Sequence, residues 1–213
     1  MFKQTTTAIG SILLLSSLAA CSGQSTAGSS QNQAPAQSQT NQNGTQPSAE
    51  KPVAQEKNPL GDISDSQAFV DFTSQKNTYS LVVPEGWARS ANANNVQFVS
   101  KLDGVKISEE IPFASTLTVD DVKTNWIPKL QSNERAVNVD SITKVHLPVG
   151  DAVRIVYSSN SEQNTVTGKQ VRLENNAYLY QKNNTLVILS LWAPLGSDNV
   201  DQWRKMSTSF RWK

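Results

Sequence analysis

Near its end the chain carries two apolar runs that call for a sheet covered on both faces. Ala177-Tyr178-Leu179-Tyr180-Gln181 and Thr185-Leu186-Val187-Ile188-Leu189-Ser190-Leu191-Trp192 enclose Lys182-Asn183-Asn184. Asn tolerates positive φ, so Asn183-Asn184 suits a type I′ hairpin turn. The stretch Leu186–Leu189 does not alternate between apolar and polar, as expected of a central strand buried on both sides.

Shorter alternating segments supply the rest of the sheet. Ala68–Phe72 and Thr78–Val83 read as strands, the second stopped by Pro84-Glu85-Gly86. Val96–Val99 and Val105–Ser108 flank Asp103-Gly104, a hairpin signal. Val137–Val145 alternates loosely, His146–Gly150 is expected to turn the chain, and Ala152–Tyr157 follows as a strand. Two helices are expected. Thr118-Val119-Asp120-Asp121 matches a capping pattern, with its acids on the positive end of the helix dipole. That helix should reach about Trp126, where Pro128 ends or kinks it. The second starts at Ser197-Asp198, with Val200, Trp203 and Ser207 on one face. Strands, a helix, strands and a helix make an α+β domain with a mainly antiparallel sheet.

Catalytic and metal-binding patterns are scarce. The sequence has no nucleophile elbow, zinc-protease, phosphate-loop or dinucleotide motif. His146 is the only histidine, beside Leu147-Pro148, and reads as a solvated loop residue; a Ser–His–acid triad would have to use it. Glu109-Glu110 reads as an exposed strand end, and Asp120-Asp121 as helix capping. Asp62 and Asp65 are a poor match to a hard-cation site, lacking the glycine and distal Glu of a calcium loop. The five tryptophans, Trp87, Trp126, Trp192, Trp203 and Trp212, read as core fillers at strand ends and on helix faces. Trp87 and Trp212 are expected to be partly exposed. No catalytic residue, cofactor site or metal site is assigned, and a non-enzymatic protein is expected.

The start of the chain carries an address. Lys3 precedes a small and apolar stretch from Ala8 to Ala20, the length of a signal-peptide core and short of the ~20 residues of a membrane span. Leu18-Ala19-Ala20-Cys21 resembles the lipobox of bacterial lipoproteins. That resemblance implies diacylglyceryl transfer to the Cys21 sulfur, cleavage before Cys21, and an acyl anchor on the extracytoplasmic face of a membrane. Cys21 is the only cysteine, so its lipidation leaves no thiol and no disulfide. Removing residues 1–21 takes away one of 19 basic residues and none of the 18 acidic ones, leaving charges balanced. A neutral chain with no basic run argues against nucleic acid as a partner. Residues 22–61 are rich in Ser, Gln, Asn, Thr, Ala, Gly and Pro, with no charge before Glu50. They are expected to form a disordered polar tether spanning roughly 35 Å. Residues 62–213 then form one globular domain.

The order of elements resembles the PsbP-like fold, shared by PsbP extrinsic proteins of photosystem II, eukaryotic Ran-binding Mog proteins and several bacterial lipoproteins. The residues that carry it are Tyr79-Ser80-Leu81-Val82-Val83-Pro84-Glu85-Gly86-Trp87, Phe98-Val99-Ser100, Val105-Lys106-Ile107, Leu189–Pro194, Asp201-Gln202-Trp203 and Ser209-Phe210-Arg211-Trp212. The resemblance implies an α/β/α sandwich around an antiparallel sheet, over about residues 66–213. It implies a binding or assembly protein rather than an enzyme. With the lipobox, the long tether and the absence of catalytic constellations, the expectation is a module of the cell envelope, tethered to the membrane by its lipidated N-terminus and acting on a protein partner. A photosystem II extrinsic or assembly factor is one alternative, and a small-ligand-binding or enzymatic domain is another. Ser132–Asn164 matches nothing in the family.

Overall fold

The computed structural model describes residues 50–213. In chain order the strands are β1 (Phe69–Thr73), β2 (Tyr79–Pro84), β3 (Ala88–Asn92), β4 (Asn95–Ser100), β5 (Asp103–Glu110), β6 (Arg135–Leu147), β7 (Gly150–Asn160), β8 (Arg172–Lys182), β9 (Thr185–Pro194) and β10 (Arg211–Trp212). The helical segments are α1 (Val119–Asp121), a π-helical turn (Val122–Trp126) running straight into α2 (Ile127–Asn133), and α3 (Val200–Ser209).

All strand pairs are antiparallel. Seven strands form one sheet in the order β3-β4-β5-β9-β8-β7-β6, and β1-β2-β10 form a second. β9 lies in the middle of the large sheet, as its unbroken apolar run requires. Val187, Leu189 and Leu191 join a core with Leu81, Val83 and Met206 from the small sheet and α3. Leu186 and Leu179 face the other way, against Val122 and Phe113 on the helical side. The domain is therefore α+β, with helical layers on opposite faces of the large sheet and the small sheet beside α3. Among the described residues, no helix is long and apolar enough to cross a membrane.

The large sheet manages its edges with polar residues. All five residues of β3, a strand not foreseen from the sequence, are exposed. β6 at the other edge is bulged and carries Asp140, Lys144 and His146 toward solvent. Charge and bulges discourage edge-to-edge pairing with a second sheet.

Several expectations need correction. Asp103-Gly104 is not a turn: the turn is Lys101-Leu102, with Lys101 at φ 54, and Asp103 already pairs with Ser100. The Trp192 ring packs directly over Gly104, which leaves no room for a Cβ there, and the pair belongs to the strand. Pro128 does not end the first helix, which continues to Asn133. Proline has no N–H to donate and crowds the preceding turn, and the turn ahead of it widens so that the Ile127 N–H reaches the Val122 carbonyl. The Thr118 cap is present, its hydroxyl accepting from the Asp121 N–H at 3.0 Å. Val200 is 67% exposed rather than packed, and Trp203, Met206 and Ser207 form the inner face of α3. His146 sits within β6 opposite Asp151, not in the turn, which is Pro148-Val149. The unmatched stretch Ser132–Asn164 is the long β6–β7 hairpin and its flanks.

Asp103 gives a pH signature. Its Oδ1 is buried without a hydrogen-bond partner. Burial pushes its carboxyl up to about 7, with repulsion from Asp62 adding and Lys101 opposing. Between the ordinary value of 3.8 and about 7, the folded chain keeps a proton that the unfolded chain has released. This contribution to stability is full below the lower value and is lost as pH rises through the upper one. Asp103→Asn removes the charge and should raise the melting temperature by several degrees at pH 8 and hardly at all below the ordinary value of 3.8. Equal shifts at both pH values would show that Asp103 does not titrate this way.

Candidate functional site

Register explains where the site forms. On the helical side of the large sheet, three rows of side chains cross the strands. Ser108, Ile188, Leu179 and Val153 form the first row, and Gln97, Lys106, Ser190, Ala177 and Ile155 the second. Gly104, Trp192, Asn175 and Tyr157 form the third. The π turn and α2 lie over the apolar part, where Val122, Trp126, Ile127 and Leu130 pack against it. They stop short of the polar part. Over Lys106, Ser190, Asn175 and Ser159 the sheet is left open, and a cleft of about 920 Å³ results. Its far wall is the β7–β8 connection, including Asn164, Thr167 and Lys169.

The cleft combines a floor of apolar and polar side chains with charged walls. Trp126 in the π turn and Trp192 in β9 both line it; π turns inside helices often occur at functional sites. Trp192 can lie flat there because Gly104 opposite has no side chain: a Cβ at that position would come within 1.8 Å of the ring. At the base, the Tyr157 hydroxyl donates to Glu134 Oε1 at 3.0 Å. Burial raises the Glu134 carboxyl above its usual range, partly offset by that hydrogen bond and by the charge of Lys106. Burial, and then the Glu134 charge, push the Tyr157 hydroxyl well above its usual value. A neutral phenol beside a half-buried carboxyl offers hydrogen bonding.

One rim of the cleft is fixed by a polar corner. The Arg172 guanidinium is buried and donates to the Ala136 carbonyl at 2.7 Å, to Ser158 Oγ at 2.7 Å and to Asn160 Oδ1 at 3.0 Å. Ala136 holds φ 48, in the left-handed region, with its carbonyl aimed at that guanidinium. Asn160 also binds the segment leading into the domain, accepting from the Val53 N–H at 3.0 Å and donating to Glu50 and to the Lys51 carbonyl. Arg135 pairs with Glu50 at 2.6 Å and with Glu162 at 3.5 Å. Residues 50–61, within the stretch read as tether, thus lie along the domain, and Glu56 lines the cleft.

Residues singled out in the sequence mostly lie elsewhere. Leu18, Ala19, Ala20 and Cys21 fall outside the described residues. Asp62 accepts from the Asp198 N–H at 2.8 Å and Asp65 from Gln202 at 3.0 Å, so both tie α3 to the chain before β1. Among the described residues, no three His, Cys, Asp or Glu side chains are placed to share a metal ion. Glu109 is not an exposed strand end; it is buried, accepting from Thr78 Oγ1 at 2.5 Å and pairing with Lys76 at 3.1 Å. Glu110 is exposed. His146 is exposed, with Nδ1 2.9 Å from Asp151 Oδ1. Trp87 and Trp212 are partly buried, as expected, but so are Trp126 and Trp192, whose role in the cleft was missed. The sequence held one hint. Ser190 interrupts the apolar run of β9, and Asn175 interrupts the inner face of β8, both over the open part of the sheet.

No protein-family model matches the chain, and no curated protein matches it. Solved structures similar to it include the following three. The solution structure of cyanobacterial PsbP (CyanoP) from Synechocystis sp. PCC 6803 is 15% identical, with a TM-score of 0.52, over 73% of this chain and 100% of that one. The Ran-binding protein Mog1p of Saccharomyces cerevisiae is 10% identical, TM-score 0.48, over 68% and 96%. LpqN, involved in cell envelope biogenesis of Mycobacterium tuberculosis, is 10% identical, TM-score 0.34, over 73% and 90%. Of the three, the first carries the fold assignment. Identity this low speaks to architecture and leaves activity to the site.

Proposed function

We propose that this PsbP-like domain is the working end of a lipid-anchored, extracytoplasmic binding module of the cell envelope, and that it acts by binding rather than by catalysis. The open cleft between the sheet and the α2 side carries this reading. It is concave, walled by several elements, and of a size that encloses a ligand or the anchoring part of a partner. Its polar groups are lysines, Arg135, amides, hydroxyls, the carboxylates Glu56 and Glu162 and the Glu134–Tyr157 pair, which suit recognition. The anchor is the acyl-modified Cys21 implied by the lipobox, and the polar stretch after it gives the domain reach from the membrane. The photosystem II alternative draws on the fold alone.

A photo-crosslinking amino acid at Thr167, on the cleft rim, tests the proposal in cells, with Val200 on exposed α3 as the control. Irradiation should give adducts from position 167 that are absent from position 200. Equal yields at the two positions would count against the cleft. In a Cys21→Ser background the protein should leave the acylated membrane pool and keep its precursor mass. Unchanged mass and membrane retention would remove the anchor from the proposal.

A further inference from the structure

The distribution of charge around the cleft says more than its size. Basic and acidic residues are nearly balanced over the whole chain, yet the cleft is not balanced. Lys101 from the β4–β5 turn, Lys106 from β5, Lys129 from α2 and Lys169 from the β7–β8 connection all line it. Among the described residues, none of the four has a carboxylate within ion-pair distance. Their sequence positions are scattered, so only folding gathers them. Of the acidic groups lining the cleft, Glu162 is paired with Arg135 and Glu134 accepts from Tyr157, and Glu56 is exposed at the rim. Between the lysines the floor is mixed: Ser190, Asn175 and Ser159 are polar, Leu130 and Ile188 are partly exposed apolar side chains, and Ile155 and Leu179 are buried beneath them. Leu130, Ile155, Leu179 and Ile188 lie toward the helix, and Trp126 and Trp192 offer ring surface.

We infer that the cleft binds an amphiphilic organic anion, whose apolar body lies against the Trp126–Ile188–Trp192 floor and whose phosphate or carboxylate head meets the four lysines. This rests on the binding reading above and adds the class of ligand. Like charges brought together around a concave site repel one another, and an anionic head relieves that repulsion while gaining charge-assisted hydrogen bonds. The volume, about 920 Å³, lies within the range of roughly 300–1,000 Å³ typical of small-molecule sites. Apolar area beside the charge favours a ligand with a body over a bare ion.

The test is calorimetric titration of the full chain carrying Cys21→Ser, which has no acyl chain of its own, with octyl phosphate, octanol and inorganic phosphate. Octyl phosphate should bind at least ten-fold more tightly than either of the others at low salt, and the preference should shrink in 1 M salt. A variant with Lys101→Gln, Lys106→Gln, Lys129→Gln and Lys169→Gln should lose the preference over octanol. Exposed lysines contribute little to folding, so its melting temperature should stay close to the parent's, and a folded variant that keeps the preference overturns the inference. Octyl phosphate no tighter than octanol, or inorganic phosphate as tight as octyl phosphate, also overturns it. Tighter binding of an acidic peptide than of octyl phosphate overturns the choice of ligand. Failure here with position-specific adducts at Thr167 would leave the binding module standing and remove only this ligand class. Absence of both would remove the cleft itself.

Discussion

Phe210→Ala should cost about 3–5 kcal/mol, the usual loss for a large aromatic removed from a core. Over a domain of this size that is a fall of roughly 6–20 °C in melting temperature. Phe210 is fully buried. Its ring stacks on Tyr180 at 4.1 Å between centroids, lies 5.6 Å from Tyr79, and meets the edge of Trp212 at 5.1 Å. Those partners come from the large sheet, the small sheet and the last strand. Phe210 is therefore the contact that joins the C-terminal end to both sheets, and no neighbour can collapse into its place without moving an element. Phe210→Leu, which keeps most of the volume, should lose less than about 1.5 kcal/mol. Chemical denaturation of both variants checks the pair; a loss below 1 kcal/mol for the alanine would show that the aromatic stack is dispensable.

Gly104→Ala should destabilise the domain by about 1–3 kcal/mol or more, an overpacking penalty for one added methyl group. The new Cβ would lie within 1.8 Å of Trp192 Cζ2 and within 2.1 Å of Cε2. The backbone cannot yield cheaply, because β5 is hydrogen-bonded on both sides, to β4 and to β9. The Trp192 ring must swing toward the cleft, so tryptophan emission should change together with stability. The variant Gly104→Ala/Trp192→Leu should recover much of the loss, giving a coupling well above the few tenths of a kcal/mol expected of independent sites. Strictly additive effects would mean that the ring does not rest on Gly104. Because Trp192 lines the cleft, the same substitution should weaken binding of octyl phosphate.

Much of the architecture was legible from local pattern. β9 had to be central because four consecutive apolar residues satisfy a strand only when both faces are covered. The Thr118 cap, the β8–β9 hairpin and the C-terminal helix were readable for similar reasons: each depends on residues a few positions apart. The errors share a different cause. Asp103-Gly104 has turn composition, but the pair belongs to β5, where the ring of Trp192, 88 positions away, packs directly over Gly104. Pro128 has the composition of a helix stop, but packing of Leu130 and Trp126 on the sheet keeps the helix going through a widened turn. Glu109 belongs to an acidic pair in the sequence, and only the fold brings Thr78 and Lys76 to it.

The sequence by itself determined the α+β class, the central strand and the charge balance, because these follow from periodicity and composition along the chain. Its lipobox-like string also sets the expectation of an anchored protein at Cys21. The cleft was decided by tertiary structure alone. It exists because a short helical segment covers only part of one sheet face, and because lysines from four elements converge around what is left bare. Neither the length of that cover nor the convergence has a signature in residue spacing, since both depend on strand register across the sheet and on where the helix comes to rest.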